Sequence, residues 1–220
     1  IKYRCPVVEI DRLGYVYVAF DRVVSNSPIA AMMATKVTYP LALPTWSGQL
    51  LMGTSMGAPN VCFVTIAAFL STSQILAVFN HKDSDYIYLR GREINWDGTS
   101  WTYVKTDEFL IVGLIGFSLG MKNIRISFDS DNRGHVVYCS WYPDNTITNY
   151  YHRHWIQGVG FSNESKITNR TLIYPSISVT VIRSTTPNRI VVVFNTGEVK
   201  GTFYYVTSPA GSIVWGAEQT

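Results

Sequence analysis

The chain has 220 residues, 47% of them hydrophobic and 15% charged, and a formal net charge of +3. That is ample apolar material for a core and too little charge for a disordered chain. Its Lys and Arg are scattered, so no nucleic-acid partner is expected, and no apolar stretch reaches the ~18 residues of a membrane-spanning helix, so no membrane insertion is expected either. With neither an initiator Met nor a signal-peptide pattern, the chain reads as a processed product or an excerpt.

The first group of predicted strands comprises 6–10 (PVVEI), a β-branched and aromatic run at 14–21 (GYVYVAFD), 28–33 (PIAAMM) and a fourth strand marked by Trp46. The second comprises 59–63 (PNVCF), 73–80 (SQILAVFN), 85–90 (DYIYLR) and Trp101. The third comprises 122–126 (KNIRI), 134–142 (GHVVYCSWY), 149–154 (NYYHRH) and Phe161. The fourth comprises 175–179 (PSISV), 188–195 (NRIVVVFN), 201–206 (GTFYYV) and Trp215.

Three columns of this alignment keep one period. The aromatics closing the second strands, Phe20, Phe79, Trp141 and Phe194, are spaced 59, 62 and 53 residues apart. Val8, Val61, Ile124 and Ile177 in the first strands are spaced 53, 63 and 53. The fourth-strand aromatics are spaced 55, 60 and 54. A sustained period of this length marks a repeat architecture. Four antiparallel strands per repeat, joined by Gly, Asn, Asp and Ser turns, predict an all-β fold, a β-propeller with four blades in this chain. Blade boundaries fall near roughly 57, 121 and 173, and the ring either closes alone or is completed in a larger ring or assembly. The second strands are apolar on both faces, as a sheet covered on both sides requires.

The order Pro-x-Ile/Val, aromatic-ended strand, Tyr-rich strand and Asp-Gly…Trp resembles the BNR (Asp-box) repeats of sialidase-type propellers. The nearest Asp box is 95–101 (NWDGTSW), where Asp97 and Gly98 are adjacent, without the intervening residue of the family pattern. The resemblance implies a sialidase-like site with three arginines, a Tyr–Glu pair and an Asp. Only Arg4 and Arg125 lie near predicted first strands, and the family's Arg-Ile-Pro motif is absent.

Several residues can carry chemistry. In 150–155 (YYHRHW), strand alternation puts Tyr150, His152 and His154 on one face. Two such histidines can bind a metal or serve as acid and base; the bland alternative is a solvated outer strand. No carboxylate or third histidine follows at a ligand spacing, so no metal and no cofactor are expected. His81 and His135 are placed in other repeats and can approach only through the fold. The stretch 80–86 (NHKDSDY), with Arg90 and Arg92 beyond it, reads as a polar turn or, by the resemblance, as a grip on an anionic sugar. Glu9, Cys62, Arg125 and Ser178 occupy one aligned position of the first strands, where they either line a channel or leave Arg125 and Glu9 to pair. Trp96 and Trp155 are candidates for stacking on a sugar, against a simple packing role.

Asn163-Glu-Ser165 and Asn169-Arg-Thr171 are N-glycosylation sequons. They point to an extracellular, cell-surface or virion location. Cys5, Cys62 and Cys139 fit buried thiols better than zinc or redox motifs, and one disulfide among them stays open. The functional expectation is a surface recognition module binding glycan or protein through propeller-face loops. One alternative is a carbohydrate-active enzyme, a glycosidase or polysaccharide lyase. Another is a structural subunit of a surface or viral assembly, a homo-oligomer using 41–44 and 109–117 as contact surfaces.

Overall fold

The computed structural model describes residues 1–24, 27–36, 45–53, 64–83, 86–113, 124–141, 148–168, 170, 176–196 and 202–220. All its regular structure is β, in four antiparallel sheets. They fall into two compact units, Ile1–Ser118 and Leu119–Thr220, with two sheets each. No helix is long and apolar enough to cross a membrane.

In the first unit, β1 (Lys2–Ile10), β2 (Tyr15–Val24), β3 (Ser27–Lys36) and β4 (Leu50–Leu51) pair in chain order. So do β5 (Val64–Ala68), β6 (Ile75–Asp83), β7 (Tyr86–Trp96) and β8 (Trp101–Gly113). Tyr17, Ala19, Met32 and Ala34 from one sheet meet Ile66, Ile75, Ala77 and Phe79 from the other in a shared core. Phe79 is wholly buried, and its ring lies so close over Gly53 that a Cβ there would come within 2.6 Å of it. Every residue of β6 from Ile75 to His81 is buried, so this strand does have both faces covered.

In the second unit, β9 (Arg125–Phe128), β10 (Gly134–Trp141), β11 (Thr148–Ile156) and β12 (Gly160–Phe161) pair in chain order, and β13 (Ser165–Lys166) also pairs with β11. Among the described residues the last sheet has β14 (Ser176–Ile182), β15 (Arg189–Asn195) and β16 (Tyr204–Pro209). Val137, Cys139 and Tyr150 of one sheet pack on Ile177, Ile190, Val192 and Phe194 of the other.

Three expectations need correction, and a fourth falls on residues outside those described. Among the described residues the sheets hold four, four, five and three strands, not four each. Trp215 lies in no strand: the tail after β16 is tied back by Gly216 N–H donating to Thr207 O (2.9 Å) and by a bridge between Tyr205 and Gln219. The second sheet's first described strand is Val64–Ala68, and the strand expected at 59–63 lies outside the described residues. Finally, β15 alternates buried and open side chains, so its sheet has one dry face and one wet one. The core face carries Ile190, Val192 and Phe194, whereas Val193 is exposed.

One turn is built twice. Asp11 closes β1, and its Oδ1 accepts the N–H groups of Leu13 and Tyr15 (both 2.9 Å). Gly14 sits at φ +80°, a conformation cheap only for glycine and, to a lesser degree, Asn or Asp. Asp129 follows β9 in the same way: its Oδ1 accepts Arg133 N–H (2.8 Å), and Asn132 takes φ 63°. In both turns the fourth residue's N–H returns to the Asp carbonyl (3.1 Å each), and the Asp N–H donates to the carbonyl of the fifth (3.0 Å each). The equivalence extends up the next strand. Asp11 Oδ2 accepts the Tyr17 hydroxyl (3.0 Å), and Asp129 Oδ2 faces His135 Nε2 (3.3 Å), six residues on in each case.

The Asp-box-like stretch is a different turn. Asp97, between β7 and β8, accepts Thr99 N–H (2.7 Å), Ser100 N–H (2.7 Å) and both of their hydroxyls (2.8 Å each). These bonds, the backbone bond from Ser100 foremost, hold the Asp97 carboxyl well below the usual carboxylate range.

Candidate functional site

The third sheet brings three histidines together. Strand β10 pairs with β11 so that His135 lies directly opposite His154 and Val137 opposite His152. Side chains two apart share a face, so His135, His152 and His154 lie on one side of the sheet. That is the side carrying Val137, Cys139 and Tyr150 into the core of the second unit.

The three imidazoles form a tight cluster. One ring nitrogen from each lies within 4.8 Å of the other two. His135 Nδ1 and His152 Nε2 are 3.1 Å apart, and these two rings are stacked. The His154 ring stands edge-on to both, with centroids at 4.9 Å. His135 and His152 are buried and His154 is half-buried.

Polar contacts continue on both sides. Asp129 Oδ2 meets His135 Nε2, and Arg133 Nε in turn donates to Asp129 Oδ2 (3.0 Å) while its other end pairs with Asp131. On the far side, Ser165 Oγ lies 3.5 Å from His152 Nδ1 and accepts from Trp215 Nε1 (3.3 Å). His154 Nε2 is sealed from solvent and has no hydrogen-bond partner among the described residues.

The electrostatics favour neutral imidazoles at His152 and His154. Burial pushes His152 well below its ordinary 6.5, and the neighbouring His135 and His154 push it further. Burial likewise brings His154 down to about 4, helped by His135 and Arg133. Burial alone would raise Asp129, but the hydrogen bonds from His135 and Arg133, with the charge of Arg133, outweigh it and hold the carboxyl at about 2. His152 and His154 therefore present uncharged, lone-pair-bearing nitrogens, and Asp129 is a fixed anion beside His135. Such a set can pass a proton along a chain of hydrogen bonds or hold a cation.

No family model matches the chain, and no curated protein matches it in sequence. Solved structures do match. The Hadza microbial sialidase Hz136 aligns with 97% of this chain and 45% of its own, at TM-score 0.61 and 11% identity. The polysaccharide lyase Uly1 aligns with 98% of this chain and 49% of its own, at TM-score 0.52 and 12% identity. The fold is sialidase-like. The chain spans about half the length of each of these two proteins.

The remaining candidates disperse. Trp155 has no exposed surface and packs edge-on against Phe161 at 4.8 Å; Trp96 is 8% exposed and lies against Trp101 at 4.6 Å. Both rings are closed to a sugar by their partners. Arg90 is committed to Glu108 (Nε to Oε2, 2.6 Å). Arg125 is exposed and donates to the adjacent Ile124 carbonyl, and half-buried Glu9 accepts Ile10 N–H (2.9 Å). The shared position proposed for the first strands dissolves on register. Glu9 faces Tyr17, three residues before Phe20; Arg125 faces Val137, four before Trp141; Ser178 faces Val193, one before Phe194. Cys62 lies outside the described residues. Asn163 is exposed, and Asn169 lies outside the described residues.

A Tyr–Glu–Arg group does form, on the opposite face of β10 and β11. The Tyr138 hydroxyl donates to Glu164, and Arg153 reaches both, at 3.2 Å from the Tyr138 oxygen and 3.6 Å from Glu164. Tyr138 is wholly buried, and burial with the Glu164 charge pushes its pKa far above the ordinary tyrosine value. It holds its proton as a donor and offers no surface to a substrate.

The sequence reading set His135 apart from His152 and His154, although it lies opposite them in the same sheet, and it missed Asp129. It searched for a third ligand along the chain, where the hairpin supplies one across it. The usable signal was the pair Asp11-x-x-Gly14 and Asp129-x-x-Asn132, each followed six residues after the Asp by a hydrogen-bond donor.

Proposed function

We propose that the four sheets are propeller blades and that the chain binds glycan on a sialidase-like scaffold. The carrying observation is the structural match over nearly all of this chain to a sialidase and a polysaccharide lyase, both proteins that act on carbohydrate. Carbohydrate is the ligand class the two neighbours share. Binding is preferred to turnover because Tyr138 is buried, Arg90 is held by an acid and Arg125 turns to its own backbone. An extracellular or surface location fits the exposed Asn163 sequon.

The test is affinity electrophoresis of the full chain through gels cast with sialylated or uronate-containing polysaccharides. Retardation by at least one of them is expected, and free migration in every gel overturns the reading. An enzyme reading draws on the same two neighbours, a sialidase and a polysaccharide lyase. Release of sialic acid or of unsaturated uronate from the same polysaccharides would establish it in place of binding alone.

A further inference from the structure

We propose that His135, His152 and His154 form a three-nitrogen site for a zinc-class divalent cation, with Asp129 fixing His135 so that its Nδ1 lone pair faces the metal. The inference does not rest on the glycan reading.

Geometry comes first. Zinc binds imidazole nitrogen at about 2.0–2.1 Å, which in a tetrahedral site places ligand nitrogens about 3.3–3.4 Å apart. His135 Nδ1 and His152 Nε2 are already 3.1 Å apart, and the whole set lies within 4.8 Å. A small rotation of half-buried His154 brings the third nitrogen in. Asp129 on the far nitrogen of His135 and Ser165 on the far nitrogen of His152 occupy the outer positions that orient metal-binding histidines. Arg133, whose charge is felt at His154, is already held by Asp129 and Asp131. Three protein ligands leave a fourth position for water or a ligand oxygen.

A metal-free network accounts for only part of this. Trp215 can donate to Ser165, Ser165 to His152, His152 to His135 and His135 to Asp129, which satisfies two of the histidines. His154 Nε2 is left buried and unpartnered, a cost that native structures rarely carry without a reason. A cation that takes His154 Nε2 as its third ligand removes it.

The first sheet provides an internal control. The Asp11 turn places Tyr17 where the Asp129 turn places His135, and the pairing register puts Ala34 opposite Tyr17 and Met32 opposite Ala19. The corresponding positions in the third sheet are His154 and His152. The same frame is therefore filled with Tyr, Met and Ala in one sheet and with three histidines in the other. The frame needs a donor for its Asp; it does not need two further imidazoles. Three of the chain's four histidines are concentrated there.

The experiment uses the full chain, stripped with a chelator and dialysed, with Zn2+ and Co2+ as the probes. One zinc per chain should survive gel filtration, compete with a chromophoric chelator and raise the melting temperature. Co2+ should give the visible ligand-field bands of a four- or five-coordinate site. The variant His152→Met with His154→Ala carries the first sheet's residues and keeps His135 on Asp129; it should lose at least 100-fold in zinc affinity while still unfolding cooperatively. His81→Ala should bind as the native chain does. Asp129→Asn should weaken zinc about 10- to 100-fold, the usual effect of an outer-sphere loss. A folded native chain that binds no zinc, or a double variant that binds it equally well, overturns the proposal. Should the double variant fail to fold, the cobalt spectrum of the native chain decides: absence of the bands refutes the site.

Discussion

The Asp11 turn can be tested by a double-mutant cycle with Tyr17. The Asp11 carboxylate accepts from Leu13 N–H, Tyr15 N–H and the Tyr17 hydroxyl. Tyr17 is wholly buried, and burial, then the Asp11 charge, push its pKa far up, so its hydroxyl stays a donor. Asp11→Ala removes all three acceptor contacts. Leu13 is exposed and its amide can turn to water, but the hydroxyl of Tyr17 cannot. A hydrogen bond to a charged group contributes about 1.5–3 kcal/mol, and a buried orphan costs about 1–3 kcal/mol, so the expected loss is about 3–5 kcal/mol. Tyr17→Phe removes the hydroxyl and leaves Asp11 two donors, for a loss of about 1–2 kcal/mol. In the double variant no orphan remains, so its loss should fall about 1–2 kcal/mol short of the sum. Urea titration at neutral pH, with unchanged slopes, gives all four values. Additivity within about 0.5 kcal/mol would show that the two side chains do not interact and would remove the basis for equating this turn with the one at Asp129.

Two further outcomes follow from burial. Phe79→Ala should destabilise by about 3–5 kcal/mol in the same titration, because the ring is wholly enclosed and Gly53 directly beneath it has no side chain to fill the void; a loss under about 1 kcal/mol would contradict the packed-sheet core. Acid should destabilise the metal-free chain between pH 6.5 and about 4: unfolded imidazoles gain protons below 6.5, whereas folded His154 resists until about 4 and His152 also lies well below 6.5. The folded state then binds fewer protons, so the stability present above pH 6.5 is lost as pH falls. Urea midpoints across that range should decline less steeply in the His152→Met, His154→Ala variant, and an identical slope would exclude these histidines as the cause.

The all-β class and the four central strands were legible because each is a β-branched run closed by an aromatic, a pattern the burial of Phe20, Phe79 and Phe194 explains. The edges were not. β4, β12 and β13 are two residues long each, too short for any periodicity, and Trp215 marks a tethered tail. The histidine face was half legible: alternation along β11 joins His152 to His154, but His135 joins them only through a register fixed by backbone pairing, which hydrophobic pattern leaves open. Trp96 and Trp155 look like exposed strand-end aromatics in sequence, yet each finds an aromatic neighbour, Trp101 and Phe161, that covers it.

The paired Asp turns also bear on how such a chain can change. A corner anchored by its own carboxylate accepts either a phenol or an imidazole six residues later, and the positions across the hairpin are filled by small or flexible apolar side chains in one copy and by nitrogen ligands in the other. New chemistry at this corner requires no new loop and no shift of register. Point substitutions at Tyr17, Met32 and Ala34 alone would give the first sheet the histidine set of the third. The fold thus separates what holds the corner together from what the corner presents, and the second can vary while the first is kept.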